Sequence, residues 1–395
     1  MKVGIITFHF VPNQGAVLQC LATKTFLEKN GHEAFVIDYR PYYHVIRYCK
    51  HRNPVQYARW YWKKHRKKSL PGRVAVFGKS FVRALVLNRK KSENATLDAF
   101  EAFTSKYLPM TERYDSLKQL RERPPVMDAY VSGSDQLWNP QLLDQELDRA
   151  YFLDFGEEKV PKVSYAVSMG KLQEERYLKE LKDCCKVLTA VSIREYDAET
   201  ISATGRDVHV CIDPTLLLEP SDFEAFENKE VADRGEYVFI YGFEDTKELQ
   251  EAVRAVREKY GLKVVNGSPH RITIEDAEKL RDYGPDQFLS LIKGAKFVVT
   301  NSFHGTAFSI IYQKNFITVP HSTRGSRMTD LLGKLGLAYR LWGTESFSYE
   351  REIDWNDAHQ KLMVLRQHSA DYLLVAIGGA RGEEIPHWDE ERKEN

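Results

Sequence analysis

Short apolar runs recur along this chain, each ending in small, polar or charged residues, most of them followed by a segment with helical spacing of its own apolar positions. The first instance reads "VGIITF", "HFVPNQGAV", "LQCLATKTFLEKNG", "EAFVIDY": an apolar run, a Gly-containing loop, an amphipathic segment stopped at Gly31, and a second apolar run. That is one βαβ unit. Further runs at "DAYVSGSD", "KVSYAVS", "KVLTAVSIRE" and "VHVCIDP" extend it. Strands joined through helices pair in parallel, so the pattern commits the chain to a parallel sheet covered by helices.

After the polar stretch "ENKEVADRGE" the alternation starts afresh with "YVFIYGF", "LKVVNGS", "KFVVTNS" and "FITVPHS". A second series needs its own sheet, and 395 residues with 43% apolar types suffice for two cores. The expected organisation is an α/β chain of two doubly wound domains, residues 1–225 and 236–345. A long amphipathic helix follows at 350–378, then a mobile tail at 379–395. Two such domains in tandem leave a cleft between the C-terminal ends of their strands, which is where open parallel sheets bind ligands.

Charge is distributed unevenly. Residues 40–91, the core of a basic insert spanning 40–92, hold 16 Lys and Arg and no acid, although the whole chain is at +1. Within it "HRNPVQYARWYWKKHRKKSL" mixes Tyr and Trp with cations, the composition of a segment that lies on an anionic membrane surface or grips phosphate, or of a solvated helical insert. The acidic remainder argues against nucleic acid as a partner. No run approaches the roughly 18 apolar residues of a membrane span, and "MKVGIITFHF" lacks the features of a signal peptide, so the expected location is cytoplasmic. The five cysteines form no Cys-x-x-Cys pair and no cluster with histidines; free thiols are expected, with no metal.

Residues just past strands are the candidates for chemistry. His304 follows "KFVVT" in the first turn of a helix beginning near Phe303, capped by Asn301 or Ser302. A neutral histidine beside the positive end of a helix suits acid and base work next to an anion; the alternative is a capping or packing histidine. Arg194, directly after "KVLTAVSI", could bind a carboxylate or phosphate in bidentate fashion, or simply pair with Glu195 or Asp197. The loop "VSGSDQLWNP" delivers Asp135, Gln136, Trp138 and Asn139 together, groups suited to sugar hydroxyls and a sugar face, or alternatively a capped turn over a buried Trp. "NQGAVLQ" opens the first helix with Asn13 and Gln14 and puts Gly15 where a ligand or backbone could approach.

Taken in order, "NQGAVLQ", "SGSDQLWN", "YAVSMG", "SIREYDAE", "DPTLLL", "GPDQFLSLIKGAKFVVTNSFHGTAFSIIYQKNF" and "RMTDLLGKLGL" resemble the polysaccharide pyruvyl transferase family over roughly residues 1 to 340. The resemblance implies two Rossmann-like domains of the GT-B type. It also implies transfer of the pyruvyl group of phosphoenolpyruvate onto two hydroxyls of one sugar, giving a cyclic ketal and phosphate, with no cofactor. His304 then matches the catalytic histidine and Asp135 the acceptor-facing acid. Arg194 matches the donor-binding arginine, with Asn301, Ser302 and Gly305 at the same helix start, while Asn13, Gln14, Gly15, Gln136, Trp138 and Asn139 face the acceptor.

One departure stands out: many members carry Arg-Leu before the His-Gly, where this chain has Ser302 and Phe303. Arg324 and Arg327 are the candidates to supply the missing cation. The expected partners are phosphoenolpyruvate and a saccharide acceptor, lipid-linked ones included, with the basic stretch docking the enzyme at the inner membrane face. A nucleotide-sugar glycosyltransferase and a non-catalytic saccharide-binding protein are the rival readings that the same fold allows.

Overall fold

The computed structural model describes residues 1–48, 53–66, 68–91, 94–170, 174–229, 234–322 and 325–379. The first sheet has seven strands: β1 (Lys2–Ile6), β2 (Glu33–Tyr39), β3 (Met110–Tyr114), β4 (Ala129–Ser132), β5 (Lys162–Val167), β6 (Ala190–Ile193) and β7 (Val208–Val210). They pair in parallel in the order β3-β2-β1-β4-β5-β6-β7. The second sheet has five: β8 (Tyr237–Tyr241), β9 (Lys263–Asn266), β10 (Glu278–Lys279), β11 (Phe297–Thr300) and β12 (Asn315–Thr318). Its order, β10-β9-β8-β11-β12, is again parallel throughout.

Both orders reverse once, between β1 and β4 and between β8 and β11. At such a switch point the connecting helices leave to opposite faces and the strand ends open into a crevice. The loops after β1 and β4 therefore face one another, as do those after β8 and β11. Strands β1, β4, β5, β8 and β11 are buried almost end to end, as sheets covered on both faces require.

Helix α1 (Gln14–Lys29) leaves β1 with Asn13 as its cap and packs on the sheet through Val17, Leu18, Leu21 and Leu27. The basic insert folds as α2 (Tyr42–Tyr48), α3 (Pro54–Lys64) and α4 (Leu70–Lys91), and α5 (Ala95–Tyr107) returns the chain to β3. The last helix, Trp355–Gly378, crosses back to the first domain: Tyr372 Oη donates to Ser164 O at 3.0 Å and Ser369 Oγ accepts from Ile212 N at 3.0 Å. The tail beyond Gly379 lies outside the described residues.

Two strands have no counterpart in the apolar pattern. β3, "MTERY", and β10, "EK", are sheet edges with mostly exposed side chains, so nothing selects for apolar residues there. Cys20, Cys184, Cys185 and Cys211 are buried free thiols; Cys49 lies outside the described residues.

Candidate active site

The switch-point loops of the two sheets meet, and four strand ends contribute charged side chains to one cluster. Arg194 follows β6 and its side chain is 3% exposed. Its Nη1 donates to Asp213 Oδ2 at 2.7 Å, while Glu195 Oε2 stands 3.5 Å from Nε and Asp135 Oδ1 3.8 Å from Nη2. Asp213, in the loop after β7, is fully buried; its Oδ1 accepts from the amide and hydroxyl of Thr215 at 3.1 and 2.8 Å. From the second domain His304 brings Nε2 to 3.5 Å from Asp213 Oδ2. One aspartate oxygen thus faces both the arginine and the histidine.

Burial alone would raise the Asp213 carboxyl, but His304 and Arg194, helped by the Thr215 amide, hold it well below the usual carboxylate range. Burial would likewise lower the Arg194 guanidinium, yet Glu195, Asp213 and Asp135 push it upward and keep it charged. The cluster nonetheless leaves bonding capacity unused. Arg194 Nε and Nη2, Glu195 Oε2 and His304 Nε2 are all buried without a hydrogen bond. Buried polar atoms are nearly always satisfied, so four orphans in one cluster mark a place where a ligand completes the bonding.

A cavity of about 250 Å³ opens on this cluster, lined by Arg194, Asp213, Phe303, Arg327 and Lys334 among others. The departure at Ser302 and Phe303 finds its structural reading here. The Phe303 ring, where those members have Leu, carries the Arg194 guanidinium 4.7 Å from its centroid and that of Arg327 at 5.8 Å, so two cations gather beside Ser302, which supplies none. Arg327 also reaches across the cleft: its Nη2 and Nη1 lie 3.0 and 3.2 Å from the Gln136 amide when the amide oxygen is turned toward it.

His304 sits in the first turn of the helix Phe303–Ile311, with Ser302 Oγ accepting from Gly305 N at 3.4 Å as its cap. Gly305 is required by Thr300, whose Oγ1 would lie 2.2 Å from an added Cβ. Gly15 fits closely against the imidazole, since a Cβ there would stand 2.0 Å from His304 Nδ1. The two domains therefore touch through a glycine of α1 and the histidine, whose buried Nε2 faces Asp213. Ser134 and Asp135 are held from β1 and α1: Gln19 Oε1 accepts from Ser134 N at 2.8 Å, and Thr7 Oγ1 donates to Ser134 O at 3.1 Å. Asp135 itself has φ 78°, the left-handed region, which swings its side chain toward Arg194.

Several expected binding residues do structural work instead. Trp138 is no sugar platform: it is fully buried, stacked on Phe152 at 4.7 Å, with Nε1 donating to Tyr151 O at 3.3 Å. Asn139 is buried, its backbone N donating to Gln136 O at 3.2 Å and its Oδ1 accepting from Gln141 N at 3.0 Å. Asn301 spends its amide on backbone, accepting from Phe243 N at 2.7 Å and donating to Glu244 O at 2.9 Å, which ties the loops after β8 and β11 together. Asn13 caps α1. Gln14 remains at the cleft, buried with Oε1 unbonded. Arg324 lies outside the described residues. Asp213 and Gln19 are the functional positions that the sequence reading passed over, though "DPTLLL" and "NQGAVLQ" contain them.

Two Rossmann-like domains facing across a cleft, with a buried His-Asp-Arg cluster at the ends of β6, β7 and β11, define a protein of the GT-B-like class. The sequence matches the polysaccharide pyruvyl transferase family over residues 13–323, so the chain belongs to that family of transferases. No curated protein matches it. Among solved structures it is similar to S. aureus MnaA with UDP, at 11% identity over 98% of each chain and a TM-score of 0.47. E. coli heptosyltransferase WaaC with ADP-2-deoxy-2-fluoro heptose shows 13% identity over 82% of this chain and 90% of its own, at a TM-score of 0.36. Likeness this distant carries no ligand or reaction over to this chain.

Proposed function

We propose that this protein transfers the pyruvyl group of phosphoenolpyruvate to two hydroxyls of a saccharide, forming a cyclic ketal and releasing phosphate. The observation that carries the reading is the pair of unused Arg194 donors at the wall of a cavity of about 250 Å³ that Arg327 also lines, with His304 next in the chain to Phe303 of that wall. Phosphoenolpyruvate is small and has two anionic ends. In this reading Arg194 Nε and Nη2 take its carboxylate, and Arg327 and Lys334 on the cavity wall neutralise its phosphate.

His304 delivers a proton to the enol carbon, and Asp213, 3.5 Å from Nε2, stabilises the imidazolium and orients the ring. The first sugar hydroxyl adds to the carbon that bears the phosphate, with Asp135 taking its proton. Phosphate then leaves with the C–O bond electrons, and the second hydroxyl adds to the resulting oxocarbenium, giving its proton to the now neutral His304, to close the ketal. The acceptor enters through the larger inter-domain cavity, about 840 Å³, whose wall includes Gln14, Tyr241, Asn266 and Ser268. There Gln14 Oε1 is buried and unbonded, ready for a hydroxyl. This replaces Trp138 and Asn139 as the acceptor side.

The test is the melting temperature with millimolar phosphoenolpyruvate or uridine diphosphate. A ligand at a hundredfold excess over its Kd stabilises the folded state by about 2.7 kcal/mol. A shift with phosphoenolpyruvate alone, lost in Arg194→Gln, is the expected result; a shift with the nucleotide alone would make the protein a nucleotide-sugar transferase.

A further inference from the structure

The basic insert contains more than charge. Helices α2, α3 and α4 form a small unit with its own core of Ile46, Tyr57 and Ala84, edged by Trp60, Tyr61 and Leu87. It is anchored to the first domain through the loop after β4: Trp60 Nε1 donates to Asp144 Oδ2 at 2.8 Å and Arg47 Nη1 to Leu142 O at 3.1 Å. The unit is docked, so the surface it shows is a built one.

That surface is unusual on α4. Leu70, Val74, Val82, Leu85 and Val86 are exposed by 65, 58, 58, 49 and 48%. At about 100° per residue the five fall within an arc of roughly 160° on one side of the helix. Ser80 lies opposite the arc and Ala84 beyond its Leu70 edge, both buried, while Lys79 stands at the Val86 margin with Arg83 about 60° beyond that margin. Arg89 lies within the arc near the helix end, where its stem can run along apolar surface while the head reaches outward. A solvated helix has no use for five exposed branched aliphatics. One lying in a lipid interface has this pattern, an apolar face flanked by cations.

We propose that α4 seats the protein on anionic bilayers, its apolar arc in the headgroup and acyl boundary and the cations of α3 and α4 on lipid phosphates. The partner is fixed by charge complementarity: 16 cations and no acid lie between residues 40 and 91. The helix lies on the membrane without crossing it, as no described helix is long and apolar enough to span one. The insert also borders the larger cavity. Tyr48 at the end of α2 and Asn94 just before α5 line that cavity together with Gln14. Membrane seating stands independently of the transfer reaction, and its test needs no turnover.

The test is co-sedimentation of the full-length protein with phosphatidylglycerol/phosphatidylcholine vesicles and with phosphatidylcholine alone. Binding to the anionic vesicles, falling with added salt, is expected. A variant with Lys63, Lys68, Lys79 and Arg83 changed to Gln should lose about a hundredfold or more in partition, since each cation near such a surface is worth roughly fivefold. Leu70→Ser, Val74→Ser, Val82→Ser and Leu85→Ser together should weaken binding at low salt and abolish it at 0.1 M or above, with the melting temperature unchanged because these side chains are already exposed. Wild-type protein left in the supernatant with anionic vesicles would overturn the proposal. So would wild-type binding by the serine variant, or a wild-type dimer in light scattering that the serine variant makes monomeric without any vesicle binding.

Discussion

At the scale of single residues the site turns on the contact between Gly15 and His304. His304→Gln should keep the fold and lower kcat by about 10²–10⁴, the range that a positioned acid or base supplies. Gly15→Ala tests the same residue from the other side. Alanine is favoured over glycine within a helix, but its methyl would meet Nδ1 at 2.0 Å. The ring must move, at an overpacking cost of about 1–3 kcal/mol, and the activity should fall with it. Steady-state kinetics and thermal melts on both variants decide the matter: a merely packing histidine would show a lowered melting temperature with activity kept in His304→Gln.

The same residues show what a sequence can reveal. His304 and Arg194 were legible because each follows a run with unmistakable strand character, and position after a strand implies the cleft. Asp213 obeys the same rule after "VHVCI", but the Pro behind it reads as a turn signal and masks it. Trp138 went the other way. Composition cannot say on which side of a loop an indole packs, and here Phe152 claims it.

Among the elements, α2 holds a titratable device within the insert. His44 is buried, with Nε2 3.2 Å from Leu142 O and Nδ1 unbonded. Burial first, then Arg47 and His9, push its pKa down to about 3, against an upward pull from the Leu142 carbonyl. The unfolded chain takes up that proton near pH 6.5 and the folded chain does not until about pH 3. Stability is therefore greatest above pH 6.5 and falls toward pH 3, by up to about 1.4 kcal/mol per pH unit from this residue. Replacing His44 by Phe, which suits the aromatic ring set of Phe8, Phe10 and Tyr43 around it, should flatten the decline of melting temperature between pH 6.5 and 4. An unchanged slope would assign the acid sensitivity to the carboxylates instead. None of this was visible in the sequence, where the histidine lay within a basic run; nor were β3 and β10, whose edge positions remove the apolar signal.

For the molecule as a whole, the C-terminal helix links domain architecture to the reacting groups. It begins after the second domain yet packs on the first, and it grips the segment that follows Asp213. Arg366 donates from Nε to Leu216 O at 2.5 Å and from Nη2 to Leu218 O at 2.8 Å, and it pairs with Glu219. Ser369 holds Ile212, the residue before Asp213. Two fixed points thus bracket the aspartate that aligns His304 and Arg194. Arg366→Met keeps the apolar stem but leaves two carbonyls without their donor. Hydrogen bonds from a charged group are worth about 1.5–3 kcal/mol each, so the melting temperature should drop clearly. The decisive readout is kinetic. If the helix positions Asp213, the variant should raise the KM for the donor and lower kcat even at temperatures where it is fully folded, whereas Lys361→Met, on the exposed face of the same helix, should change neither. Loss of stability with unaltered kinetics would reduce the helix to a clasp between domains and leave the alignment of Asp213 to Thr215 and Arg194 alone.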